Sequence, residues 1–230
     1  MATIADNLQA VKARIGRAAR AAGRDPAAVT LLAVSKTHGA ERVREAAAAG
    51  QRAFGENYVQ EALDKMAALA PEENEPEWHL IGPLQSNKTR LAAERFAWIQ
   101  SVQSERIARR LSEGRPAGLP ALNVLIQVNA SGEATKSGVA PEAAVSLARS
   151  VGALPRLRLR GLMTIPEPGA PRGRYRDIAS LYEELKGEFG FDTLSMGMSD
   201  DLELAIAEGA TMVRVGTAIF GMRNKEKSAV

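Results

Sequence analysis

The sequence predicts an α/β protein: a (β/α)8 TIM barrel built as a single domain over residues 1–230, with an extra amino-terminal helix over 1–22 packing on the barrel. Three observations carry that expectation. Short apolar runs rich in valine, isoleucine and leucine recur along the chain, and such runs read as strands buried on both faces, as in a parallel sheet. Helical patterns separate them, giving roughly eight strand–helix units with no linker, internal repeat or low-complexity tract. Most runs close on polar or glycine residues, at the end where parallel barrels collect their ligands.

Taken in order, Ile4, Leu8, Val11 and Ile15 are spaced for one helix face, extended by Ala18, Ala19 and Ala22. Lys12, Arg14, Arg17 and Arg20 lie largely off that stripe and read as a solvated face, with an anionic surface as the alternative. Gly23 stops the helix, and Asp25-Pro26 opens the connection to the first strand, 29–34. A helix over 40–49 closes on Gly50, and a short strand over 53–55 leads through Glu56 and Asn57 into a helix reaching residue 69. An acidic loop over 71–76 precedes the third strand, 78–81, which ends in Gly82-Pro83 and a polar turn over 85–88. The fourth strand is 97–102, with a helix over 104–111. The fifth, 122–128, closes on Asn129, and the loop 131–138 enters a helix over 141–151. The sixth, 157–165, is followed by a long helix over 175–189. The seventh is 193–195, and Met198, Ser199 and Asp200 read as a helix start with Asp200 and Asp201 in its first turn. The eighth, 212–215, leaves through Gly216 and Thr217. Residues 222–230 are short of apolar residues for an eighth helix, so the stripe on the first helix is expected to cover strands one and eight.

Composition removes several function classes. The 45% hydrophobic and 25% charged fractions suit a soluble globular chain, and the net charge of +3 with 4% aromatics gives little support for a nucleic-acid partner. With no cysteine, disulfides, thiol nucleophiles and thiolate metal sites are excluded, and two histidines, His38 and His79, make no zinc spacing. No run approaches a membrane span and the amino terminus lacks a signal-peptide core, so the expected location is cytoplasmic.

In a barrel the strand ends converge, which would bring Lys36, Asn57, His79, Ser101, Asn129, Thr164, Ser199 and Thr217 toward one site. Lys36 closes the apolar run of AVSKT. There it can lose its proton more easily than in water and form a Schiff base, or simply snorkel into solvent. Two turns, 195–199 and 215–218, follow the last two strands and carry glycine with serine or threonine, where barrels often bind phosphate. Arg214 precedes the second turn in an otherwise apolar strand, so its guanidinium needs an acceptor, either a protein carboxylate or a ligand atom.

Seven segments together resemble the YggS/PROSC family of pyridoxal 5′-phosphate (PLP) homeostasis proteins, built on the alanine racemase-type barrel. They are AVSKT around Lys36, FGENYVQE from Phe54, WHLIGPLQSNK from Trp78, KSG from Lys136, GLMTI from Gly161, LSMGMSDDLE from Leu194 and VRVGTAIFG from Val213, in the family's order over nearly the whole chain. The resemblance implies PLP held as a Schiff base on Lys36, its phosphate on Ser199, Gly216 and Thr217, its pyridine nitrogen facing Arg214, and Asn57 and Met163 lining the pocket. It also implies a role in PLP homeostasis, as a carrier or regulator whose partners are PLP and PLP-dependent apoenzymes; a monomer is expected, and composition adds no nucleic-acid or membrane partner.

No catalytic residue is assigned. PLP is the better electron sink when its ring nitrogen is protonated, whereas a guanidinium offers only donors. The racemases resembling this barrel add a carboxyl-terminal domain, and only a short tail follows Gly221 here. The expectation is therefore a binding protein without robust turnover. A low-activity amino-acid racemase is the first alternative, and a sugar-phosphate barrel enzyme with Lys36 as a substrate Schiff-base lysine is the second.

Overall fold

The structure is a computed structural model that describes residues 2–69, 76–132 and 137–222. Eight parallel strands close into a barrel in sequence order: β1 (Thr30–Val34), β2 (Ala53–Glu56), β3 (Glu77–Leu80), β4 (Trp98–Val102), β5 (Leu122–Val128), β6 (Leu157–Thr164), β7 (Thr193–Ser195) and β8 (Met212–Val215). The barrel shuts where β8 pairs with β1, in a register that sets Leu32 beside Arg214 and Ala33 beside Val215. Side chains alternate along each strand between the helix-facing layer and the lumen. Leu31 and Ala33 join the large core shared with the helices, whereas Leu32 and Val34 join Ala53, Ile81 and Met212 in a separate interior cluster.

The helices are α1 (Ile4–Ala21), α2 (Ala40–Ala48), α3 (Val59–Leu69), α4 (Thr89–Arg95), α5 (Glu105–Gly114), α6 (Pro141–Gly152), α7 (Arg172–Phe189), α8 (Leu202–Ala207) and α9 (Thr217–Phe220). No described helix is long and apolar enough to cross a membrane. Thr3 caps α1 in a reciprocal box with Asp6, and Gly23, at φ 68°, follows its end. The stripe Ile4, Leu8, Val11 and Ile15 is buried, and the helix packs on α8, α9 and α2.

Two local expectations give way. Residues 89–95 form α4, where the sequence marks no element between the turn over 85–88 and the fourth strand, because TRLAAER buries just Thr89, Ala92 and Ala93 and shows little apolar stripe. The helix after β7 starts at Leu202 rather than Met198. The Asp201 carboxylate accepts the Met198 amide at 2.5 Å and the Asp201 amide bonds back to the Met198 carbonyl, so 198–201 is a tight turn ahead of α8. The readings of 71–75, Lys136 and 223–230 lie outside the described residues.

Candidate functional site

At the carboxyl ends of the strands lies a cavity of about 520 Å³. Lys36, Asn57, Ser199, Arg214, Gly216 and Thr217 all line it, and so do His38, Ile81, Pro83, Gln127, Ile165 and Asp200. Met163 is elsewhere: it is fully buried in the lumen against Trp98 and Leu125. The strand-end readings of His79, Ser101, Asn129 and Thr164 also fail to reach the cavity wall. His79 is an interior residue of β3 rather than its end, and Thr164 turns its hydroxyl onto the Val128 carbonyl at 2.9 Å.

Lys36 is presented by a turn held from beneath. Thr37 adopts φ 67°, a conformation a branched residue takes only when its surroundings impose it. Its amide donates to Glu61 Oε1 at 2.5 Å. Lys65 Nζ, with a side chain only 5% exposed, donates to that same oxygen, to the Ser35 carbonyl and to Glu56 Oε1 at 2.7–2.8 Å. Ser35 Oγ closes the group by donating to Glu56 at 2.6 Å. Burial raises the Glu56 carboxyl above its ordinary range, against the pull of Lys65. Nothing in the sequence spacing distinguishes this cluster from solvated helix charges, so sequence reasoning passed over it.

The two glycine turns form the opposite wall. A Cβ on Gly216 would lie 3.0 Å from the Val34 carbonyl oxygen, so glycine lets the last strand end pass close over the first. The Thr217 amide stands at the start of α9, where helix geometry leaves it without an intrahelical acceptor. The Ser199 turn is tied from outside, because Arg14 Nη2 donates to the Ser199 carbonyl at 3.0 Å while its guanidinium grips Glu203. Asn7 likewise donates to the Ile219 carbonyl in α9 at 2.9 Å.

Arg214 is only 3% exposed. Its Nη1 donates to the Ser195 carbonyl and hydroxyl at 2.8 Å, and its Nη2 to the Thr164 carbonyl at 2.7 Å. Those bonds use three of the five guanidinium N–H donors, and the residue also lines the cavity. With oxygen dipoles rather than a bonded carboxylate as partners, burial pushes its pKa down to about 10, and at neutral pH it stays charged.

Fold and site thus define a (β/α)8 barrel with an amine, a guanidinium and two glycine-bearing turns on one cavity. The chain belongs to the alanine racemase N-terminal domain family, whose model matches residues 7–224, and within it to the pyridoxal phosphate homeostasis proteins. It is 63% identical to the Pseudomonas aeruginosa protein of that name over 97% of both chains, and 53% identical to the Escherichia coli one over 99% of this chain and all of the other. Among solved structures, PipY of Synechococcus elongatus, determined with PLP bound, aligns at a TM-score of 0.82 and 37% identity over 95% of this chain and all of its own. An alanine racemase of Clostridium difficile shares the fold at TM-score 0.71 and 14% identity, this chain spanning 58% of it.

Proposed function

We propose that this chain binds PLP in the cavity at the barrel mouth and serves intracellular PLP homeostasis as a carrier or regulator. The observation that carries the reading is the convergence of Lys36, Arg214 and the Ser199 and Gly216–Thr217 turns on one cavity. The residues fit the group: the close approach at Gly216 leaves the turn open to a phosphate, Arg214 keeps unused donors, and Lys36 supplies the amine. The named relatives and the PLP-bound PipY support the same ligand.

When bound, PLP supplies an aldehyde for amines and an electron sink for the resulting adducts. Ser199, Gly216 and Thr217 would hold the phosphate, Asn57 would border the ring, and Lys36 would anchor the cofactor covalently. Arg214 only donates, so it would hold the ring nitrogen as an unprotonated acceptor and keep the electron sink weak. The reading is therefore a holder of PLP rather than an efficient catalyst. Borohydride reduction of the PLP-loaded chain, followed by peptide mass mapping, is expected to leave the adduct on Lys36. An adduct on Lys88 or Lys136 would overturn the anchor, and sustained amino-acid racemisation by the purified chain would overturn the non-catalytic role.

A further inference from the structure

Four strands contribute to a line of hydrogen bonds that leaves the cavity through Arg214 and runs down the lumen to the opposite mouth. Arg214 Nη1 donates to Ser195 Oγ at 2.8 Å, and Ser195 Oγ lies 2.7 Å from Gln100 Oε1. Gln100 Nε2 lies 2.9 Å from His79 Nδ1, and His79 Nε2 lies 2.9 Å from Glu77 Oε1. Ser195, Gln100 and His79 are buried, and Glu77 is half-exposed where β3 begins.

The direction of every bond follows from its last member. An ionised carboxylate only accepts, so His79 Nε2 carries the ring proton and Nδ1 is bare. Gln100 must then turn its amide NH2 toward His79, which points its carbonyl at Ser195. The serine hydroxyl donates to that carbonyl and keeps a lone pair for Arg214. Each donor points away from the cavity, from a guanidinium at one end to a carboxylate at the other. Aligned bonds of this kind polarise one another in a low-dielectric interior.

His79 also stacks on Trp98, with centroids 5.0 Å apart and planes at 8°, and the Arg160 guanidinium lies over the Trp98 ring at 4.7 Å. Burial lowers the His79 pKa against the pull of Glu77, which favours the neutral ring the line requires. Protonation would add an N–H aimed at the Gln100 amide, so geometry and burial oppose it together.

Building on the PLP reading, we infer that His79 and Gln100 are positioning residues of the cofactor site, acting through Ser195 to set the place and polarisation of Arg214, with Glu77 as the remote anchor of the line. None of His79, Gln100 and Glu77 lines the cavity, and their hydrogen-bonded route to it runs through Ser195 and Arg214, while Gln100 Nε2 also touches Met212 Sδ at 3.1 Å.

The test compares His79→Phe, Gln100→Leu and Glu77→Gln with Leu125→Val, a lumen packing change off the line. His79→Phe and Gln100→Leu are expected to shift the visible absorbance of bound PLP and weaken its binding about tenfold, with Leu125→Val unchanged. Nitrogen NMR of the ligand-free chain at neutral pH is expected to find His79 as the neutral Nε2–H tautomer, and as a tautomer mixture in Glu77→Gln. An Nδ1–H tautomer in the wild type would overturn the inference, as would wild-type affinity and spectrum in both core variants. If the core variants do not fold, the tautomer change in Glu77→Gln decides. A wild-type chain that binds no PLP would sink the functional reading while leaving the tautomer result to judge the line.

Discussion

Lys65 is a cation almost out of contact with water, and its three oxygen partners are the reason it can remain there. Removing one member of such a group strands the others. Lys65→Met is expected to cost about 3–5 kcal/mol, because it leaves Glu56 buried with its countercharge gone. Adding Glu56→Gln should recover part of that loss, since an amide carries no charge to desolvate. Urea denaturation of the single and double variants measures both, and equal midpoints for Lys65→Met and wild type would refute the clamp. Six of the seven cofactor residues read from sequence line the cavity because strand-end position and turn chemistry are local signals. Met163 does not line it, because lumen depth depends on barrel register, which slips between Val124 and Leu125 where β5 meets β6. His79 was equally illegible: Trp78 and Leu80 flank it with apolar side chains, so no polar alternation marks it as a lumen residue.

At the scale of elements, α1 packs on α8, α9 and α2 and does two separate jobs. Its apolar stripe is buried against those helices, and its polar residues Asn7 and Arg14 bond to the Ile219 and Ser199 carbonyls. Arg14 was read from sequence as part of a solvated face, since a one-residue contact to a distant carbonyl leaves no trace in helical periodicity. The two jobs separate by mutation. Leu8, 1% exposed, should lose about 2–5 kcal/mol on change to alanine, lowering the melting temperature by roughly 10 °C. Arg14→Ala breaks a pair whose members are 31% and 50% exposed, worth under about 1 kcal/mol, so melting should scarcely move while PLP binding weakens with the freed Ser199 turn. Differential scanning fluorimetry with a PLP titration reads both, and a Leu8→Ala chain that melts like wild type would show that α1 is dispensable. The strands themselves were legible because parallel strands carry continuous apolar runs, whereas α4 was hidden by having only small residues to bury.

For the molecule as a whole, the lumen line and the surface pairs make stability depend on acidity in a defined order. Burial holds His79 below its ordinary 6.5, so as pH falls through 6.5 the unfolded chain takes up a proton that the folded barrel resists. Stability must therefore decline from that point downward. Hydrogen bonds from His79, Arg14 and Arg172 hold Glu77, Glu203 and Glu208 below their ordinary 4.5, so their contributions are complete above that value and are lost below it. Glu56 runs the other way: its raised pKa favours the folded state on the acid side and offsets part of that loss. The expected melting curve has a shallow decline beginning near pH 6.5 and a steeper one below 4.5. In His79→Phe the shallow limb should vanish while the steep one remains. Melting temperatures for both chains across that range decide the matter, and a wild-type curve flat down to 4.5 would mean that His79 is protonated as readily in the folded barrel as in the unfolded chain.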